Sequence, residues 1–463
     1  MQHVSTRGAA RPLDFRGATL AGLASDGGLY VPVAWPEWSP EAFRALRAAS
    51  YAETAVAVLE PFVGNALSRP ELRDLVEAAY AGFAHAAVTP LVELDHRHWL
   101  LELHHGPTLA FKDLALQLLG RLFARFLDDG DAPLTIIGAT SGDTGSAAIA
   151  AVAGLPGMRI VMLHPEGRVS DVQRRQMTTV EADNVHNVAI AGSFDDAQAI
   201  VKALFNDAGF RARHRLAAVN SINWARLAAQ VVYYVHAAVR LGAPDSPVAF
   251  AVPTGNFGDV FAGYVASRMG LPVSALIVAT NENDILARAL GTGDYSRRTL
   301  TPTASPSMDI QVSSNFERLL FDLHGRDAAA LASAMAGFEA TGRMAIPEPM
   351  RAQAARLFRA ARVDGHEMAE TLDWANRATG QLLDPHTGIG LAAARRLAGG
   401  IDGPIVTLAT AHAAKFPAAV EAATGVYPML PARVSGILDR PERCTRLPAD
   451  PLAVAAFIDG LSP

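Results

Sequence analysis

The stretch LTIIGATSGDTGSAAIAAVAG, residues 134–154, decides the architecture. Residues 134–140 form an apolar run of strand length, which suits a strand buried on both faces of a sheet. TSGDTG (140–145) is a turn of small and polar residues, and SAAIAAVAG (146–154) continues as a helix. Strand, tight turn and helix in succession make half of a parallel β–α–β unit.

Outward from this stretch the alternation persists. RIVMLHP (159–165), VHNVAIAG (185–192), VAFAV (248–252), VSALIVAT (273–280) and IVTLAT (405–410) read as buried strands. DDAQAIVKALFNDAG (195–209), NWARLAAQVVYYVHAAVRLG (223–242) and the residues after Gly258 read as helices, and residues 320–400 look mainly helical. Upstream, EAFRALRAAS (41–50), YAETAVAVLEPFVG (51–64) and ELRDLVEAAYAGF (71–83) carry apolar residues at helical spacing. LASDGGLYVP (23–32) interrupts them with a turn and a short strand. The expectation is an α/β fold with doubly wound parallel sheets. Residues 1–92 are expected to form an N-terminal, mostly helical subdomain. Residues 93–463 form the core, with a smaller α/β part around 130–240 and a larger one from the remainder.

The composition excludes several classes of function. The chain has 463 residues, 50% of them hydrophobic and 19% charged, with a formal net charge of −6. No basic block points to nucleic acid. The one cysteine, Cys444, cannot form an internal disulfide, and no Cys/His cluster suggests a metal. The N-terminal residues lack the apolar core of a signal peptide. The longest apolar run, near LAAQVVYYVHAAV (227–239), is broken by Gln230 and His236 and is too short to span a bilayer. A soluble, cytoplasmic protein is expected.

The cations are unevenly chosen. Of 40 Lys plus Arg, only Lys112, Lys202 and Lys415 are lysines. A chain that uses arginine wherever a cation suffices keeps lysine where arginine cannot serve. Lysine can lose its proton when desolvated and attack a carbonyl, whereas arginine stays charged. Lys202 lies in an amphipathic helix and needs no such role. Lys112 ends HHGPTLAFK (104–112) and opens the helix LALQLLGRLFARFL (114–127). The positive end of a helix dipole and apolar neighbours both disfavour its charge.

Three further segments sit at strand ends. TSGDTG offers backbone N–H groups and the hydroxyls of Ser141 and Thr144 to an anion, although Asp143 or Thr144 as an ordinary helix cap would also explain it. PTGNFGD (253–259) suits a phosphate ester at a helix N-terminus. It lacks both the GxGxxG pattern with its acidic partner and the GK[ST] of a P-loop, so a small phosphate is favoured over a dinucleotide or a nucleoside triphosphate. LATAHAAKFP (408–417) places Thr410, His412 and Lys415 at the same sheet edge. A reactive amine, a phosphate cradle and a second anion site together fit a cofactor bearing an aldehyde and a phosphate, beside an amino-acid carboxylate.

HHGPTLAFKD, ATSGDTGSAA, NSINWARLAAQ, VPTGNFGD, ATNENDIL and TAHAAKFP, in this order and spacing, resemble threonine synthase of the bacterial and fungal type. STRG (5–8) and LASDGGLYVP resemble that family's start, so the likeness runs nearly end to end. It implies the tryptophan-synthase-like, type II pyridoxal-phosphate fold, with two doubly wound parallel-sheet parts. It also implies conversion of O-phospho-L-homoserine and water to L-threonine and phosphate. By this resemblance Lys112 is the covalent attachment point of pyridoxal 5'-phosphate. Gly255, Asn256, Phe257, Gly258 and Asp259 cradle its phosphate, and Thr410 faces its pyridine nitrogen. Ser141, Gly142, Asp143 and Thr144 hold the substrate carboxylate. Arg168, Arg318 and Lys415 are the expected cations for the substrate phosphate, with Ser314 and Asn315 as donors and Arg7 as a weaker candidate. Two departures from the family pattern stand out: Arg168 where relatives often carry lysine, and AHAAKF without a proline. A monomer or homodimer is expected. The alternatives are a dehydratase of the same fold acting on an unphosphorylated hydroxy amino acid, or a non-catalytic relative.

Overall fold

A computed structural model describes residues 1–127, 133–140, 142–217 and 220–461. Two parallel sheets carry the molecule. The smaller has five strands in the order Thr445–Pro448, Val185–Ala191, Met158–Pro165, Leu134–Ala139 and Leu216–Ala217, all parallel. The larger has six, in the order Phe358–Arg362, Val273–Thr280, Val248–Pro253, Ile405–Ala409, His98–Glu102 and Leu91–Glu93. Only the last of these pairs antiparallel to its neighbour.

The long apolar strands are where the sequence places them, because each is covered on both faces. Strand Val248–Pro253 is buried at every residue. Helix Pro385–Arg396 packs against one face of the larger sheet, joining Ile389, Leu391 and Ala393 to Ala249, Ala251 and Ile277. On the smaller sheet, Ile137, Val161 and Val188 pack with Ile200 of helix Phe194–Asn206 and with Val454 and Ile458 of the C-terminal helix Pro451–Asp459.

Five strands of these sheets lie where no strand is expected, among them the two-residue Leu216–Ala217 and the three-residue Leu91–Glu93. His98–Glu102 is short. Phe358–Arg362 falls in the stretch read as mainly helical, and Thr445–Pro448 reaches the edge of the smaller sheet from the far end of the chain. Helix Trp224–Arg240 runs through the centre of the molecule. It touches Tyr51–Val63, Lys112–Phe126 and Gly258–Arg268. All but the last of its residues are buried, which explains an apolar run with no wet face. The two longer N-terminal helices, Tyr51–Val63 and Arg69–Tyr80, begin on the capping boxes Ser50/Glu53 and Ser68/Glu71. Among the described residues, no helix is long and apolar enough to cross a membrane.

Candidate active site

The polar segments meet at the carboxyl ends of parallel strands, where open α/β sheets bind ligands. Lys112, Thr144, Thr410 and the run from Gly255 to Asp259 line one cavity of about 330 Å³. Asn220, Ser221, Arg226, Gln230, Ser307 and His386 also line it. That volume suits a small ligand.

Lys112 opens helix Lys112–Phe126 and is 8% exposed. Its Nζ lies 3.4 Å from Asp143 Oδ2 and 3.5 Å from Ser307 Oγ. Burial pushes its pKa down. Asp143 opposes that push, while Lys415 and Arg226 add to it. The net effect favours the neutral amine, which is the form that condenses with an aldehyde.

Asp143, the first residue of helix Asp143–Val152, sits between the Nζ atoms of Lys112 and Lys415. Its Oδ1 is 2.9 Å from Lys415 Nζ and accepts from Gln173 Nε2 at 2.9 Å. Burial pushes its pKa up, but Lys415, Lys112 and Gln173 together hold it well below the usual carboxylate range. The Asp143 side chain is thus committed to protein partners, which leaves the backbone of TSGDTG to face an anion. The loop itself keeps anion-binding capacity. Thr140 Oγ1 accepts from the N–H groups of Gly142 and Gly145, at 3.0 and 2.9 Å. The N–H groups of Asp143 and Thr144 have no acceptor among the described residues. Gly142 has φ 144°, and a Cβ there would lie 2.5 Å from the Gln173 side chain, so the position needs glycine. Ser141 lies outside the described residues.

The second loop leads from strand Val248–Pro253 into helix Gly258–Arg268. The N–H groups from Gly255 to Asp259 have no acceptor among the described residues. Phe257 has φ 63°, a left-handed conformation that in a non-glycine residue costs of order 1 kcal/mol and commonly marks a ligand clamp. The loop is held from behind: Ser313 Oγ donates to Gly255 O at 2.7 Å and Asn315 N–H to Asn256 O at 3.0 Å. The Asp259 carboxylate is half committed, since its Oδ2 is buried without a hydrogen-bond partner. Its Oδ1 accepts from the hydroxyls of Tyr233 and Tyr234, at 2.5 and 2.9 Å, and burial pushes its pKa up to about 6. A Cβ on Gly255 would sit 2.7 Å from Ser307 O, a backbone atom that cannot swing away. Gly255→Ala is therefore expected to weaken pyridoxal phosphate binding at least about tenfold, a loss of roughly 1.4 kcal/mol, as read by spectrophotometric titration of the apoprotein.

Thr410 is buried at the end of strand Ile405–Ala409 and anchors two neighbours. Its carbonyl accepts from Phe111 N–H at 2.8 Å, and its N–H donates to Thr387 Oγ1 at 3.2 Å. Thr387 also donates its hydroxyl to Asp384, the cap of helix Pro385–Arg396. Asp384 Oδ1 lies 2.7 Å from His386 Nδ1, and Ser307 N–H donates to His386 Nε2 at 3.3 Å. Because Nε2 accepts, Nδ1 carries the proton and donates to Asp384. One fully buried carboxylate thus orients three cavity residues: His386, Thr410 and, through His386, Ser307.

The expected substrate-phosphate cations are elsewhere. Arg168 is exposed on the turn after strand Met158–Pro165 and does not line the cavity. Arg318 is fully buried, and its guanidinium donates to Tyr30 O, Ile222 O and Asn315 Oδ1. Lys415 is fully buried, and its three protons go to Asp143, Gln176 Oε1 at 3.0 Å and Thr108 O at 2.6 Å. Arg7 pairs with Glu317 and Glu339. Asn315 donates to Ser221 O, and Ser314 is exposed beside a different cavity. Sequence reasoning missed Arg226, Ser307, His386 and Asp384. Arg226 stood in the quoted NSINWAR motif, whereas Asp384 and His386 sit in DPHTG (384–388), which reads as an ordinary helix start.

Comparison with known proteins agrees with this geometry. Residues 83–411 match the pyridoxal-phosphate dependent enzyme family, residues 2–80 the threonine synthase N terminus and residues 387–458 the threonine synthase C-terminal family. The chain is 52% identical to a threonine synthase of Pseudomonas aeruginosa, covering 99% of this chain and 98% of that one. It belongs to the threonine synthase family. A pyridoxal-phosphate-bound threonine synthase from Brucella melitensis superposes with a TM-score of 0.97 at 52% identity, covering 99% of this chain and 98% of that one. Threonine synthase from yeast gives 0.95 at 37% identity over the same shares. The cofactor of the family fits the residues present: a buried amine biased toward neutrality, a loop of unpartnered N–H groups at a helix start and a buried guanidinium whose Nη1 lacks a partner.

Proposed function

We propose that this chain is a threonine synthase, converting O-phospho-L-homoserine and water to L-threonine and phosphate with pyridoxal phosphate. One observation carries the reading: a buried lysine whose pKa burial lowers, and a strained loop whose N–H groups have no acceptor among the described residues, face one cavity in a chain that matches the family along its whole length. Pyridoxal phosphate supplies the electron sink that stabilises negative charge next to the substrate amine. The loop from Gly255 to Asp259 would hold its phosphate through backbone N–H groups, and Thr410 would face its ring. The N–H groups of Asp143 and Thr144 hold the substrate carboxylate. Lys112 Nζ would accept the α-proton and return protons later in the cycle. Asp143 Oδ2, 3.4 Å from that amine, orients it. Water enters after phosphate has left. The protein acts in the cytoplasm as a monomer or homodimer.

The test is incubation with O-phospho-L-homoserine and measurement of both products. Equimolar phosphate and threonine are expected. Keto acid formed from threonine, with no turnover of phosphohomoserine, would instead make the protein a dehydratase.

A further inference from the structure

A second cavity, of about 270 Å³, is built on the segment that backs the loop from Gly255 to Asp259, and it shares no lining residue with the first. Its floor is apolar: Leu29, Tyr295, Phe316, Leu320, Met335 and Phe338 line it and are buried. Leu23 and Val312 line it and are exposed, so it opens to solvent. That volume suits a small metabolite.

The cavity carries four charges, and two of them are largely spent on each other. Arg7 donates to both oxygens of Glu317, at 3.2 and 3.0 Å, and Glu317 also accepts from the Thr6 hydroxyl at 2.6 Å. Arg297 and Glu339 remain. The Arg297 guanidinium lies 4.9 Å from the centre of the Phe338 ring, and no carboxylate of a described residue pairs with it. Glu339 follows Phe338 on helix Ala328–Thr341, so both charges stand at one end of the cavity. Its Oε1 is 2.9 Å from Arg7, its Oε2 has no partner among the described residues, and the side chain is 55% exposed. An apolar floor with one open charge of each sign matches an α-amino acid whose side chain is apolar. The carboxylate meets Arg297, the ammonium meets Glu339 and the side chain covers the floor. A simple anion would leave Glu339 unanswered, and an uncharged ligand would desolvate both charges without compensation.

The wall of this cavity bears on the first site. Ser313 Oγ donates to Gly255 O at 2.7 Å, and Ser313 N–H donates to the Tyr295 hydroxyl at 2.9 Å. Phe316 packs edge-on against Phe257, with ring centres 5.1 Å apart at 82°, and Phe257 is the loop residue with φ 63°. A ligand seated on Tyr295 and Phe316 holds both in place, so less ordering remains to be done when a phosphate reaches the loop. We propose that this cavity is an effector site for an apolar α-amino acid, and that its occupation tightens the hold of the loop from Gly255 to Asp259 on a phosphate.

Binding is measured by calorimetry on holoprotein in which borohydride has fixed pyridoxal phosphate to Lys112, so that no added amine can exchange with it. The probes are L-leucine, L-phenylalanine and L-alanine, together with isoamylamine and 4-methylpentanoate, which keep the leucine side chain and only one of its charges. L-Leucine or L-phenylalanine is expected to bind with a Kd of about 1 mM or tighter. L-Alanine should bind about tenfold more weakly, for lack of apolar surface, and so should each analogue with a single charge. Arg297→Gln and Glu339→Gln should each weaken L-leucine by about tenfold. Coupling is read on the apoprotein with pyridoxamine phosphate, which has no aldehyde to react with an amino acid. Saturating L-leucine should tighten its binding at least about fivefold in the parent, and the same concentration should do less in Arg297→Gln. The proposal is overturned if neither L-leucine nor L-phenylalanine binds, or if L-alanine or a single-charge analogue binds as tightly as L-leucine. It is also overturned if binding survives Arg297→Gln undiminished, which would place it in the cavity of Lys112, or if it leaves the affinity for pyridoxamine phosphate unchanged.

Discussion

Lys112→Ala is expected to remain folded and to lose threonine formation by at least about 10³-fold. The variant removes both the attachment point of pyridoxal phosphate and the amine that moves protons. Its fold should survive because Asp143 keeps its closer partner, Lys415 Nζ at 2.9 Å, against 3.4 Å for Lys112. Burial already disfavours the Lys112 charge, so its loss costs the native state little. Two measurements check this. The thermal transition should stay near that of the parent. Borohydride treatment of the cofactor-loaded protein, followed by peptide mapping, should label Lys112 in the parent and nothing in the variant. Labelling of Lys415 or Lys202 in the parent would sink the assignment. The structure argues against both: Lys415 is fully buried with its three protons committed, and Lys202 is exposed on helix Phe194–Asn206.

The same compositional bias that exposed Lys112 concealed Arg226. In a chain that uses arginine as its default cation, a lysine stands out, but a buried, unpaired arginine looks like any other. Pairing is a property of three-dimensional neighbours and leaves no mark on the sequence. Arg318 shows the converse. Beside Ser314 and Asn315 it reads as part of a polar cluster for an anion, yet Tyr30 O and Ile222 O, far away in sequence, claim its protons. The buried strands were legible because a strand covered on both faces must be continuously apolar. Phe358–Arg362 was not, since it forms one edge of the larger sheet and alternates buried Phe358 and Ala361 with exposed Arg359 and Arg362. Thr445–Pro448 also lies on an edge, where a proline is tolerated. Loop chemistry was legible where small residues cluster at strand ends. The Asp384–His386–Ser307 chain was not, because an Asp-Pro helix start carries no sign that its carboxylate is buried behind a cavity.

Lys415→Met is expected to destabilise the protein by about 3–5 kcal/mol, because it leaves a buried carboxylate without its nearest counter-charge. The parent's Asp143 has a folded-state pKa below its unfolded value of 3.8. The stabilisation from the pair is therefore complete above that pH and falls away as acid protonates the carboxylate. Asp143→Asn should also be costly, since it buries the Lys415 ammonium with only neutral acceptors, Gln176 and Thr108. The double variant should lose less than the sum of the two, by at least about 1 kcal/mol, because neither charge is then stranded. Denaturant unfolding of the four proteins measures this. The two single variants also part in their effect on Lys112. Lys415 is a cation that lowers the Lys112 pKa, and Asp143 is an anion that raises it. Removing the first must raise that pKa, and removing the second must lower it. The pH at which pyridoxal phosphate is half-attached to Lys112, followed by absorbance, should move up in Lys415→Met and down in Asp143→Asn. A shift of both in the same direction would mean that the two residues act on Lys112 through packing and not through charge. Opposite shifts would make Lys415 a positioning residue that sets the protonation of an amine it never touches, with Asp143 as the shared link.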